Sequence, residues 1–141
     1  MACITDKPLS LATSVDQVAL EARAKSLTTR SIKTTSKRAA LHLSIRCMDL
    51  TTLEGADTPG KVASLCQKAT RPDPTNLDVP PVAAVCVYPE MVDYAVAATA
   101  GTGVKVASVA GAFPSGLSRL SIRLDDIADA VARGAHEIDI V

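Results

Sequence analysis

Val82-Ala83-Ala84-Val85-Cys86-Val87 is the stretch that decides the fold. It offers no polar residue to water, so both faces of a strand built from it must be buried, as in a parallel sheet covered by helices. Working outward, strands are also predicted over Val104–Val109, Leu43–Leu50 and Glu137–Val141. Between them lie helical patterns. Thr58-Pro59 is a helix start, with Thr58 as cap and Pro59 where a missing N–H costs nothing. Val62, Leu65, Cys66 and Ala69 then form an i, i+3, i+4, i+7 stripe. Tyr88-Pro89 opens the next helix, with Met91, Tyr94, Ala95 and Ala98 as its predicted buried side. Gly101-Thr102-Gly103 closes that helix and opens a strand, so it reads as a C-cap and not as a phosphate loop. After the loop 110–118, Ser118 is the predicted cap of a helix whose stripe is Leu120, Leu124, Ile127, Ala128 and Val131. Asp125 and Asp126 early and Arg133 late suit the helix dipole, and Gly134 ends the helix.

The order is βαβαβαβ, which implies parallel strands with right-handed crossovers. An open doubly wound sheet and the first half of a (β/α)8 barrel both fit. Ahead of the sheet, residues 14–27 have helical spacing, with Ser14 as cap and Val15, Val18, Ala19 and Ala22 on one side. A polar loop and a short helix over 36–43 follow.

Composition narrows the function classes. Hydrophobic residues make up 48% of the 141, but aromatics only 2%, so the core must be Val, Ala, Leu and Ile. A surface that stacks nucleic-acid bases needs aromatic platforms and is not expected. Residues 1–46 hold eight basic and three acidic side chains, a net +5, and the remainder seven and twelve, a net −5. The basic start reads as a solvated helical extension in preference to a nucleic-acid arm or a targeting segment. No apolar run approaches the ~18 residues of a membrane span, and no apolar h-region follows Met1. Cys3, Cys47, Cys66 and Cys86 form no CxxC pair, and only His42 and His136 accompany them, so no zinc site is expected. Reduced thiols in a cytoplasmic protein are the reading. GxxxxGK[ST] and GxSxG are both absent.

Three residues invite chemistry. Asp139 shares a strand face with Glu137 and Val141, opposite Ile138 and Ile140. A lone carboxylate on the inner face of a covered strand is costly unless paired or functional, so it is either a catalytic acid or a structural one with a buried cation as partner. Asp49, at the C-terminal end of the first strand, faces the same way as Ile45 and Cys47, or else serves the turn that follows. Cys86 is either core packing or a thiol lining a pocket. No lysine is placed to form a Schiff base: Lys7, Lys25, Lys33 and Lys37 lie in the polar extension, Lys61 and Lys68 lie outside the helical stripe, and Lys105 lies at the strand end away from the expected site.

Cys47-Met48-Asp49-Leu50-Thr51-Thr52-Leu53 resembles the first-strand signature of the deoxyribose-phosphate aldolases, and Ala83–Pro89 their second-strand motif. Val106–Val109 with Phe113-Pro114-Ser115-Gly116 is similar to their third strand and its loop, and Gly134–Val141 to their fourth. The four motifs come in order and span about residues 45–141. The resemblance implies the first four strands of a (β/α)8 TIM barrel over 45–141, behind an N-terminal helical extension over 1–44. It implies reversible cleavage of 2-deoxyribose 5-phosphate to glyceraldehyde 3-phosphate and acetaldehyde through a lysine Schiff base, with no cofactor and no metal. Asp139 then corresponds to the proton-relay carboxylate, and Asp49 and Cys86 to pocket residues. The implied partners are a phosphorylated sugar and, left open, a second copy of the chain, with no nucleic acid and no membrane. The Schiff-base lysine of the resemblance belongs on a sixth strand, beyond Val141, so the 141 residues are expected to be inactive by themselves. The alternative is a non-catalytic half-barrel that acts by association.

Overall fold

A computed structural model describes residues 14–141; Cys3, Lys7 and the start of the extension lie outside the described residues. Contacts divide the described residues into two compact units, 14–34 and 35–141. In the first, α1 (Gln17–Thr28) is capped by Asp16, whose carboxylate accepts from the Ala19 amide at 3.0 Å. Asp16, not Ser14, is the cap, because it stands one residue before the helix, where a short oxygen-bearing side chain reaches the third amide. Val15 and Val18 are exposed.

α2 (Thr34–Arg46), which apart from Thr34 belongs to the second unit, runs on through Leu43 and Ile45. The predicted strand over 43–50 shrinks to β1 (Asp49–Thr51). The alternation Leu43-Ser44-Ile45 misled: no Gly or Pro interrupts residues 34–46, the Ser44 hydroxyl bonds back to the Ala40 carbonyl at 2.9 Å, and Ile45 packs on the core from the helix. Next come α3 (Pro59–Thr70), β2 (Ala84–Val87), a 3₁₀ turn over Pro89–Met91, α4 (Val92–Thr99), β3 (Lys105–Val109), α5 (Leu120–Ala132) and β4 (Glu137–Asp139). Thr58 caps α3 as predicted, accepting from the Lys61 amide at 3.2 Å.

The sheet has the order β1-β2-β3-β4, all parallel. One face packs on the helices. There Val62, Cys66 and Ala69 of α3 and Val92 and Ala95 of α4 close on Val85, Val87 and Val106. This is the covered face of a partial α/β barrel. On α4 the buried residues are Val92, Ala95 and Thr99, while Tyr94 is exposed. Thr99 can be buried because its hydroxyl donates to the Ala95 carbonyl at 2.8 Å.

The α5 stripe also differs from expectation. Its covered side is Arg123, Asp126, Ile127, Ala130 and Arg133, while Leu120, Leu124 and Val131 are exposed. The polar members are tolerated there because each is bonded: Asp126 takes two loop amides, and Arg133 reaches Glu90, Asp93 and Asp129 at 3.1, 3.0 and 2.7 Å. Ser118 does not cap α5; Arg119 holds that position without a side-chain bond. Among the described residues, no helix is long and apolar enough to cross a membrane.

Candidate active face

Parallel register sets the site. Asp49 pairs with Ala84, Thr51 with Cys86, Cys86 with Ala107, and Val109 with Asp139. Paired residues in a parallel ladder point the same way, so Asp49, Thr51, Cys86, Val109 and Asp139 share the face turned away from the helices. Asp139 is thus not beneath a helix. Its strand is fixed at both ends: the His136 amide donates to the Val106 carbonyl at 2.7 Å, and the Ala110 amide donates to the Asp139 carbonyl at 3.0 Å. His136 Nδ1 also accepts from the Val106 amide at 3.1 Å, which leaves the proton of the neutral ring on Nε2.

Two of the three candidates meet. The Cys86 thiol donates to Asp139 Oδ2 across 3.7 Å. Cys86 is only 3% exposed and belongs to a small apolar cluster with Ala107 and Val109, onto which Leu53, Tyr88 and Phe113 pack. Burial, then the Asp139 charge and its hydrogen bond, then the Asp49 charge push the thiol up to about 11. Asp49 therefore acts on Cys86 through space. Cys86 is a core residue, and at neutral pH it is a thiol, unsuited to nucleophilic attack.

The sign of the pH effect follows. The folded state holds the Cys86 proton more tightly than the unfolded chain. The resulting stability is present below about pH 9 and disappears as pH rises through about 11, a loss of roughly 3 kcal/mol. Urea titrations between pH 8 and 11.5 should show this slope in the parent and a flatter one in Cys86→Ala. Equal slopes would show that Cys86 is not the group responsible.

A second cluster, not anticipated as a unit, shapes the turn after β1. Asp57 accepts from the Thr52 hydroxyl at 2.8 Å and from the Glu54 amide at 3.1 Å, and Lys61 lies 2.7 Å from Asp57 and 2.6 Å from Glu54. Lys61 holds the Asp57 carboxyl below its usual range, and the two acids, Asp57 first, hold the Lys61 ammonium above its own. The sequence signal was the i, i+4 spacing of Asp57 and Lys61 across a capped helix start. A cleft of about 470 Å³ beside β1 is lined by Thr51, Glu54, Lys61, Ser64, Leu65 and Lys68. Among the described residues, no group of three or more His, Cys, Asp or Glu could hold a metal ion.

A four-stranded parallel sheet covered on one face by helices is the architecture of part of an α/β barrel. No family model matches the chain. It is 44% identical to the mouse (Mus musculus) deoxyribose-phosphate aldolase and 42% identical to the human (Homo sapiens) one, in each case over 79% of the chain and 38% of the relative. Among solved structures it is similar to a Coccidioides immitis protein assigned to the same activity, with TM-score 0.61, 28% identity, 70% of this chain and 36% of that one. It is also similar to the tetrameric Aeropyrum pernix deoxyribose phosphate aldolase, with TM-score 0.56, 26% identity, 70% of this chain and 38% of that one. Along the matched stretch the chain is a homologue of the deoxyribose-phosphate aldolases, and it spans less than two-fifths of the length of the relatives it matches.

Proposed function

We propose that the face carrying Asp139 is the proton-relay side of a deoxyribose-phosphate aldolase site, with Asp49 and Cys86 in its wall. The observation that carries this reading is the position of Asp139: an exposed carboxylate at the C-terminal end of β4, on the helix-free face, within reach of a buried thiol. Barrel chemistry gathers at that strand end. In the proposed reaction, a lysine amine adds to the C1 aldehyde of 2-deoxyribose 5-phosphate, and the carbinolamine loses water to give an iminium. The C3 hydroxyl then gives up its proton, the C2–C3 electron pair moves into the iminium, and glyceraldehyde 3-phosphate leaves. The remaining enamine takes a proton at the former C2, and water releases acetaldehyde. Asp139, through water, passes the protons at the carbinolamine and the C3 hydroxyl. The cysteine thiol stays protonated and shapes the wall.

The division into an extension over 1–44 and a barrel part over 45–141, and a cytoplasmic location, belong to the same reading. The free thiols of Cys47, Cys66 and Cys86 are consistent with the location.

The described lysines do not supply the amine. A Schiff-base lysine must be neutral and desolvated. Lys25, Lys33, Lys37, Lys68 and Lys105 are exposed, and the two acids around Lys61 keep it charged. Borohydride reduction with acetaldehyde should therefore give no stoichiometric lysine adduct on the 141-residue chain. A single specific adduct, located by peptide mass spectrometry, would overturn this part of the reading.

A second reading is association through the unpaired edges β1 and β4. The exposed Leu120, Leu124 and Val131 along one side of α5 favour it. It shares the Asp139 face with the first and differs in what closes the sheet.

A further inference from the structure

The wall around Cys86 is built from residues that follow three successive strands: Leu53 after β1, Tyr88 after β2 and Phe113 after β3. Leu53 and Tyr88 stand within two residues of their strands. Phe113, the chain's sole phenylalanine, stands four residues out, on a loop whose backbone is unusual. Gly111 and Ala112 have φ of +78° and +66°, and a left-handed alanine persists only where its surroundings hold it.

The hold comes from α5. Asp126 Oδ2 accepts from the Gly111 amide at 2.8 Å and from the Ala112 amide at 3.2 Å. Arg123, one turn earlier, donates from Nε to the Gly111 carbonyl at 3.2 Å and from Nη2 to the Val141 carbonyl at 2.8 Å. Beyond Phe113, the Gly116 amide closes the turn onto the Ala112 carbonyl at 2.9 Å. Gly116 has φ +66°, and a side chain there would meet Val141 Cγ2 at 3.2 Å.

We propose that Asp126 and Arg123 are positioning residues: from α5 they clamp the loop after β3 so that Phe113 closes the pocket wall over Cys86. The inference rests on reading this face as a substrate wall. Its test reads loop placement alone, so it succeeds or fails whatever the face binds.

The chain carries its own control. Cys86 lies on the helix-free face in the small cluster onto which Phe113 packs, and Cys66 lies under the helices on the other side of the sheet. Loosening the loop uncovers the first thiol, whereas global destabilisation uncovers both. Iodoacetamide labelling of the 141-residue chain at pH 9, resolved by peptide mass spectrometry, should show Cys86 reacting roughly tenfold faster in Asp126→Ala and in Phe113→Ala, with Cys66 unchanged. Arg123→Met, which keeps the helix packing, should give a smaller rise with the same selectivity, and it decides the matter if Asp126→Ala does not fold. Equal rises at Cys86 and Cys66, or a Cys86 rate unmoved by Phe113→Ala, overturn the proposal.

Discussion

Val85→Asp abolishes cooperative folding. Val85 is fully buried in β2, an inner strand, between Leu50 and Val106 in register and against Val62 and Val92. Removing the valine forfeits about 1.5–3 kcal/mol of burial. The new carboxylate adds several kcal/mol more, because α3 offers it only apolar side chains there and its lysines point to solvent. A domain of this size has about 5–15 kcal/mol in all. Circular dichroism should show no sigmoidal thermal transition. A cooperative melt within a few degrees of the parent would mean that the helix-side packing is not as described.

That buried strand was the most legible part of the chain. Residues 82–87 are apolar without alternation, and only a two-sided burial explains them. The capped start of α3 was equally plain, since Thr58-Pro59 has one dominant structural meaning. Legibility failed where polar residues did the packing. The covered side of α5 includes Arg123, Asp126 and Arg133, and a hydrophobic stripe cannot reveal partners forty residues away, such as Glu90 and Asp93. It failed again at Leu43–Ile45, where three residues satisfy the strand and the helix period alike. At the candidate site, the two-residue period separated Asp139 from Ile138 and Ile140, and the register puts it on the helix-free face. The 3.7 Å approach of Cys86 to Asp139 was not legible, because it depends on the register of three strands. Likewise, the clamp on Phe113 is a tertiary arrangement of a loop and a helix that carries no local sequence signal.

The largest effect on activity is expected from Asp139→Asn. Asparagine keeps the shape and loses the ability to shuttle a proton, and a positioned acid–base group contributes about 10²–10⁴-fold to a rate. The effect needs a context that supplies the rest of a barrel. A chimera in which residues 45–141 replace the matching segment of the mouse relative provides it. Cleavage of 2-deoxyribose 5-phosphate by that chimera should fall at least about a hundredfold on Asp139→Asn, chiefly in kcat. A chimera that cleaves its substrate equally well with asparagine at 139 would contradict the assignment of this carboxylate to the chemistry.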